Sequence, residues 1–295
     1  MSLRPTDYII DDNTPDAPPS GHGKGLIPRD YSVHPVGCYG AAPPMDIPLI
    51  PRNEWADRIK SMVATKSAVS NIRRTAGPNG GPIPSLDQNG QGYCWAYSFA
   101  MCAMLSRAIM NQPYVRLSAH MLACVIKNYR DEGGWCGLSL QKAEEIGIAT
   151  VKTWPEKSMS RSNDNATMRA EALLYKPTES WADMAASVYD RNFTEDQAMT
   201  LLMSRVPIQG DFNHWGHSVC LMDPVLLNET RAMLATDFGS LDLNKEKDYA
   251  VFAAAFGKRG INSWTDGWGD LGEFVLTGSK ARLDGGVAPL IMTAA

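Results

Sequence analysis

Apolar residues recur at helical spacing in several stretches of the chain. Past about residue 180 they give way to short apolar runs separated by Gly, Asp and Asn. Within 53–71, Trp55, Ile59, Met62 and Val63 share one face, which predicts an amphipathic helix. The segment CWAYSFAMCAMLSRAIM (94–110) is largely apolar and holds no Gly or Pro, so it predicts a buried helix. Further helices are expected over 117–129, opened by Ser118 as N-cap, and over 139–148, ended at Gly147. The runs at 206–209, 219–222, 260–263 and 272–276 read as strands. A helical half followed by a β-rich half predicts an α+β fold with two lobes, about 80–185 and about 186–282.

Residues 1–52 break this pattern. They are rich in Pro, Gly and Asp and lack periodicity, so alone they would bury too little surface to offset their ordering entropy. They read as an extended arm that lies on its own domain or on a partner. Residues 53–79 then form a helix and linker ahead of a domain spanning 80–295.

The net charge of −4 gives no bulk electrostatic grip on nucleic acid or anionic membrane. No run approaches the length of apolar residues that a spanning helix needs, and the first residues do not read as a secretory signal. The six cysteines include no CxxC pair that would suggest structural zinc or dithiol redox chemistry. The expectation is a cytoplasmic, reducing environment with mostly free thiols and no metal or organic cofactor.

Candidate chemistry begins at LDQNGQGYCWA. Cys94 stands at the start of the expected buried helix, where unpaired N–H groups and the helix dipole favour a thiolate. Gln88 lies six residues upstream, and its amide can return as a donor to a developing oxyanion. For Cys94 alone, the plainer reading is a small core residue. Of the five histidines, two lie in the arm and His120 reads as a structural helix residue. His217 opens a strand-like run and is the favoured base, with His214 as the alternative. In INSWTDGWG, Asn262 can orient an imidazole and Trp264 can cover that bond. An aromatic-rich turn is the plainer reading of this block.

Together these blocks resemble the papain-like cysteine peptidases (peptidase C1 type). Gln88-x5-Cys94-Trp95-Ala96, then Gly133-Gly134, then His217-Ser218-Val219, then Asn262-Ser263-Trp264-x3-Trp268-Gly269 follow that family's chain order over about 80–280. The resemblance implies a two-lobed fold with a central cysteine-bearing helix and a barrel-like β lobe. It implies Cys94 as nucleophile, His217 as base, Asn262 as the orienting amide and Gln88 in the oxyanion hole. It places Trp264 over the histidine–asparagine pair and Trp268 on the leaving-group side of the cleft. Gly133 and Gly134 are implied to bind substrate backbone. The activity implied is hydrolysis of peptide bonds in a peptide or protein.

The sequence also departs from the family. Gln91 and Glu132 stand near where the usual disulfide would link the active-site loop to the glycine segment. The span from His217 to Asn262 is longer than usual, so an insertion is expected over about 226–258, and it would cover the cleft, bind a partner or shift Asn262. These departures support a second reading: a component of a virion or other large assembly, with a plugged cleft and an arm that binds a neighbour. The discriminating observation is whether the arm or the insertion occupies the Cys94 groove.

Overall fold

The computed structural model describes residues 2–16, 21–40, 42, 44–178, 180–184, 187–228 and 235–293. The predicted first helix forms in two pieces, α1 (Trp55–Ala64) and α2 (Val69–Arg73). The break falls at Lys66, whose φ of 53° is left-handed. Helix α3 (Cys94–Ile109) is buried along almost its whole length. Each large side chain it seals, such as Trp95 or Phe99, contributes about 1.5–3 kcal/mol relative to exposure. Helix α4 (Ala119–Ile126) starts as predicted, with the Ser118 hydroxyl accepting from the Met121 N–H. Helix α5 (Cys136–Ile146) ends at Gly147, whose φ is 74°. Helix α6 (Ala166–Ala172) follows.

A strand region was expected from about 186, but the chain first builds helix α7 (Ser187–Met203), interrupted by extended backbone at Asp190. Its hydrophobic face packs with α1 and with α8 (Glu246–Ala255) in a third core around Trp55, Phe252 and Phe256.

Seven strands form one sheet: β1 (Ile9–Ile10), β2 (Trp181–Met184), β3 (Ile208–Phe212), β4 (His217–Leu226), β5 (Phe256–Ile261), β6 (Glu273–Leu276) and β7 (Gly285–Pro289). Their order is β1-β6-β5-β4-β3-β7-β2. All neighbours are antiparallel except β1 and β6. One core joins α3, α4 and α5 to the inner face of the sheet, and a second fills the β-rich lobe.

The arm lies on its own domain. Its strand β1 adds to the edge of β6, and the buried Asp7 carboxylate pairs with Arg259 there. After the cleft, Arg29 makes a two-pronged ion pair with Asp183 at 2.8 and 3.0 Å, both side chains buried. Tyr39 enters the main core, and the Trp181 indole N–H donates to the Ala42 carbonyl at 2.7 Å.

The insertion leaves Asn262 in place because β4 and β5 pair back on each other. Cys220 faces Ile261, and the ladder runs on to Leu226 facing Phe256, so extra residues enter at its far end. The 310 helix Ala235–Ser240 and α8 pack in the third core; residues 229–234 lie outside the described residues. Asp223, next to Pro224, sits at an irregularity in β4, where it accepts from the Val69 and Ser70 N–H groups and caps α2.

Candidate active site

The β4–β5 pairing that fixes the ladder also sets His217, the first residue of β4, against Asn262, the residue after β5. His217 Nε2 and Asn262 Oδ1 are 2.8 Å apart. The same Oδ1 accepts from the Ser263 backbone N–H at 2.8 Å, which identifies it as the amide oxygen. Nε2 therefore carries the proton, and Nδ1 holds the basic lone pair. That Nδ1 is buried and has no hydrogen-bond partner. Trp264 stacks on the imidazole at 4.8 Å between centroids and Trp215 meets it edge-on at 4.9 Å, so the ring is held on two sides.

Cys94 is the first residue of α3 and is fully buried. Burial raises its thiol pKa, and the backbone N–H groups of Ser218, Trp95 and, from the arm, Leu26 work against that rise. Gln88 is oriented from the other lobe: the Ser263 hydroxyl donates to its Oε1, and its backbone N–H donates to the Ser263 carbonyl at 3.0 Å. Its Nε2 then donates to the Gln91 carbonyl at 2.7 Å and to the Gly23 carbonyl at 3.1 Å.

The arm occupies this groove. The Gly23 carbonyl also accepts from the Trp264 indole at 3.1 Å, and His22 stacks on that ring. Leu26 pairs with Gly134 in the parallel sense: Gly134 N–H donates to the Gly25 carbonyl and Ile27 N–H to the Gly134 carbonyl, each at 2.9 Å. Glycine is needed where the chains press together. A Cβ on Gly25 would lie 2.1 Å from the Gly92 carbonyl oxygen, and one on Gly134 would lie 2.7 Å from the Trp95 ring.

Burial sets the charge state. Desolvation pushes the Cys94 thiol up to about 12, with the Asp211 carboxylate adding to the rise. Desolvation also takes His217 down to about 3, against the opposing Asn262 hydrogen bond. With the arm in place the pair is a neutral thiol and a neutral imidazole. Because the folded His217 pKa lies below its unfolded value near 6.5, its stabilising contribution is full above 6.5 and is lost as pH falls toward 3. Between pH 7 and 4.5, urea unfolding of the parent should lose about 2–3 kcal/mol more than that of His217→Gln. The comparison cancels Asp211, which burial raises to about 6 and which shifts stability in the opposite direction. Equal losses in the two proteins would refute a buried neutral His217.

The loop before Cys94 is held without a disulfide. Asp131 accepts from the Gly92 N–H at 2.8 Å, and the Trp95 indole donates to the Gly92 carbonyl at 3.0 Å. All six cysteines are free. Trp268 packs on Trp264 and on the arm residue Tyr8, beside a cavity of about 220 Å³ that both tryptophans line.

No family model matches the sequence, and no curated protein matches it. Solved structures do match the fold. Xylellain, a cysteine protease from Xylella fastidiosa, superimposes with a TM-score of 0.54 at 15% identity, over 92% of this chain and 97% of its own. The proCathepsin B S9 from Trypanosoma congolense gives 0.54 at 12% identity, over 90% of this chain and 86% of its own. The digestive procathepsin L2 proteinase of Tenebrio molitor larval midgut gives 0.52 at 14% identity, over 94% and 76%.

The fold is that of the papain-like cysteine proteases. On this papain-like frame, His217 meets Asn262 and Trp264, Gln88 is tied to the same segment through Ser263, and Cys94 opens α3; among the described residues no hydrogen bond links Cys94 to His217. Gly133 and Gly134 line the groove where the arm passes, and Trp268 stands beyond Trp264. His214 faces Asp284 at 3.8 Å rather than Asn262, and His120 bonds the Tyr97 hydroxyl in the core. Ser263, which holds Gln88, lies inside the INSWTDGWG block but carries no role in the sequence reading, and Trp215, which walls His217, lies two residues ahead of the His217 block and outside it. Among the described residues, no helix is long and apolar enough to cross a membrane, and no group of three or more metal-capable side chains comes together.

Proposed function

We propose that this chain is a latent cysteine peptidase whose own arm covers the site. The observation that carries the reading is the His217–Asn262 bond, which leaves Nδ1 as the unpartnered basic nitrogen, in a fold whose central helix opens with Cys94. Once the arm withdraws, water regains the groove and the desolvation that holds both groups neutral falls. The helix dipole and the Ser218 N–H then favour the Cys94 thiolate, and His217 takes its proton. The thiolate adds to a peptide carbonyl carbon. Gln88 Nε2 and the Cys94 backbone N–H receive the oxyanion, as Nε2 receives the Gly23 carbonyl now. His217 returns the proton to the departing amine, and water, deprotonated by the same imidazole, hydrolyses the thioester. Gly133 and Gly134 take the substrate backbone, and Trp268 borders the leaving segment. The substrate is a peptide or protein, and the chemistry needs no cofactor.

The domain division belongs to this proposal, with one refinement. Within the 1–52 arm, Arg29 is tied into the fold by Asp183, and the cover proper is 22–27. The catalytic domain is 80–295.

The test is intact mass after exposure to a peptidyl epoxide at neutral pH. A single slow adduct is expected, absent in Cys94→Ala and slowed at least about a hundredfold in His217→Ala. Labelling indifferent to both changes would overturn the reading. The occupied groove favours a second reading, a plugged scaffold within a virion or other assembly whose arm also contacts a partner. That reading predicts no adduct even when the arm is displaced.

A further inference from the structure

The seam between α3 and the sheet repeats a polar pair. Ser98 and Cys102 lie four residues apart and share one face of α3; Ser218 and Cys220 alternate onto one face of β4. The two rows meet: the Ser98 and Ser218 hydroxyl oxygens are 3.2 Å apart, and the Cys102 and Cys220 sulfurs are 3.3 Å apart. Both cysteines are fully buried in the core that joins the helices to the sheet. Neither takes part in the chemistry proposed above. Yet Cys102 is on the helix that begins at Cys94, and Cys220 is three residues along the strand that begins at His217.

We propose that Cys102 and Cys220 form a disulfide when the chain meets a small-molecule disulfide such as oxidised glutathione, tying the helix of Cys94 to the strand of His217. The sulfurs need to close by only about 1.3 Å to reach bonding distance. One cysteine, as thiolate, attacks the small disulfide and expels one thiolate, leaving a mixed disulfide. The second cysteine, deprotonated, attacks the protein-side sulfur, forms the Cys102–Cys220 bond and expels the other half. The two cysteine protons end on the two released thiols, and two electrons pass from the protein to the small disulfide.

Burial, and the neighbouring thiol, hold the Cys102 thiol well above its usual range, so exchange in the folded protein waits on opening of the seam. The bond therefore forms fastest while the chain folds. Once closed, it is shielded from reductant by the same burial. The cross-link closes a span of 118 residues and fixes the floor of the groove across both lobes.

The experiment refolds the full chain from denaturant in a glutathione redox mixture, quenches with acid, then alkylates under denaturing conditions. Four alkylated cysteines of the six are expected, a parent mass about 2 Da lower before alkylation, and a linked peptide pair containing Cys102 and Cys220. The oxidised protein should melt about 5–10 °C above the reduced one. Cys220→Ala, or Cys102→Ala should the first fail to fold, should keep all five remaining thiols alkylatable. Six alkylated cysteines in the parent, or a linkage that uses another cysteine, would overturn the assignment.

Discussion

Replacing Gly25 with valine is expected to raise the rate at which a peptidyl epoxide labels Cys94 by about tenfold or more, with little change in melting temperature. The reason is steric. Gly25 runs against the backbone of Gly92, and an added Cβ would meet its oxygen at 2.1 Å and its carbonyl carbon at 2.3 Å. Backbone cannot step aside as a flexible side chain can, so the strand must leave. What holds it is modest: the paired bonds to Gly134, the Gly23 contacts with Gln88 and Trp264, and weak contacts of the Gly25 and Leu26 N–H groups with the Gly216 carbonyl. Its flanks are fixed elsewhere, by β1 on β6 and by Arg29 on Asp183. A penalty of only about 1.4 kcal/mol on the covered state raises the exposed fraction tenfold, and labelling rate follows that fraction. Gly239→Ala, where an added Cβ meets nothing within 4 Å, is the control. The pH profile should change as well. With the thiol near 12 the parent rate should climb through the alkaline range, whereas the valine variant should level off near neutrality as the thiolate–imidazolium pair forms. An unchanged rate and profile in a folded Gly25→Val protein would show that the arm is not what shields Cys94.

The cover itself was only half legible in the sequence. Four motifs in one order pointed to the candidate site, and in the fold Cys94 opens α3, His217 opens β4 and Asn262 follows β5. Helix α3 was legible to within a residue, since an uninterrupted apolar run has one outcome. Helix α7 was not: its apolar positions serve a third core made with α1 and α8, and that core exists only in the folded chain. The arm was recognised as unable to fold alone, yet nothing in its composition says where it lies. Its path is set by long-range partners: Asp7 by Arg259, Gly25 by Gly134, Arg29 by Asp183. The long span before Asn262 left three roles open, one of them a shift of Asn262. Strand pairing removes that one, because a ladder registered at Cys220–Ile261 is indifferent to what is inserted beyond Leu226.

Arg29→Ala should have the opposite signature to Gly25→Val: a large loss of stability rather than a gain in labelling alone. The Arg29 guanidinium is 2% exposed, lies between the Tyr31 and Tyr39 rings at 4.4 and 4.6 Å, and grips both oxygens of Asp183. Truncation leaves the Asp183 carboxylate buried with, among the described residues, the Gly37 N–H at 2.7 Å to replace the cation. Breaking one side of such a pair costs about 3–5 kcal/mol, because the remaining charge is stranded. In a chain of 295 residues that lowers the melting temperature by about 5–8 °C. Arg29→Lys keeps the charge but not the two-pronged geometry and should fall between parent and alanine. The decisive comparison is Arg29→Ala with Asp183→Asn added. Removing the stranded charge should recover part of the loss, so the double variant should be more stable than Arg29→Ala alone. If Arg29→Ala melts with the parent, residues 29–52 are a detachable extension, and the whole arm, not only its middle, must be counted as the cover. If it behaves as expected, this stretch is structural: it anchors the downstream end of the cover, and opening the groove is a local event between two fixed points.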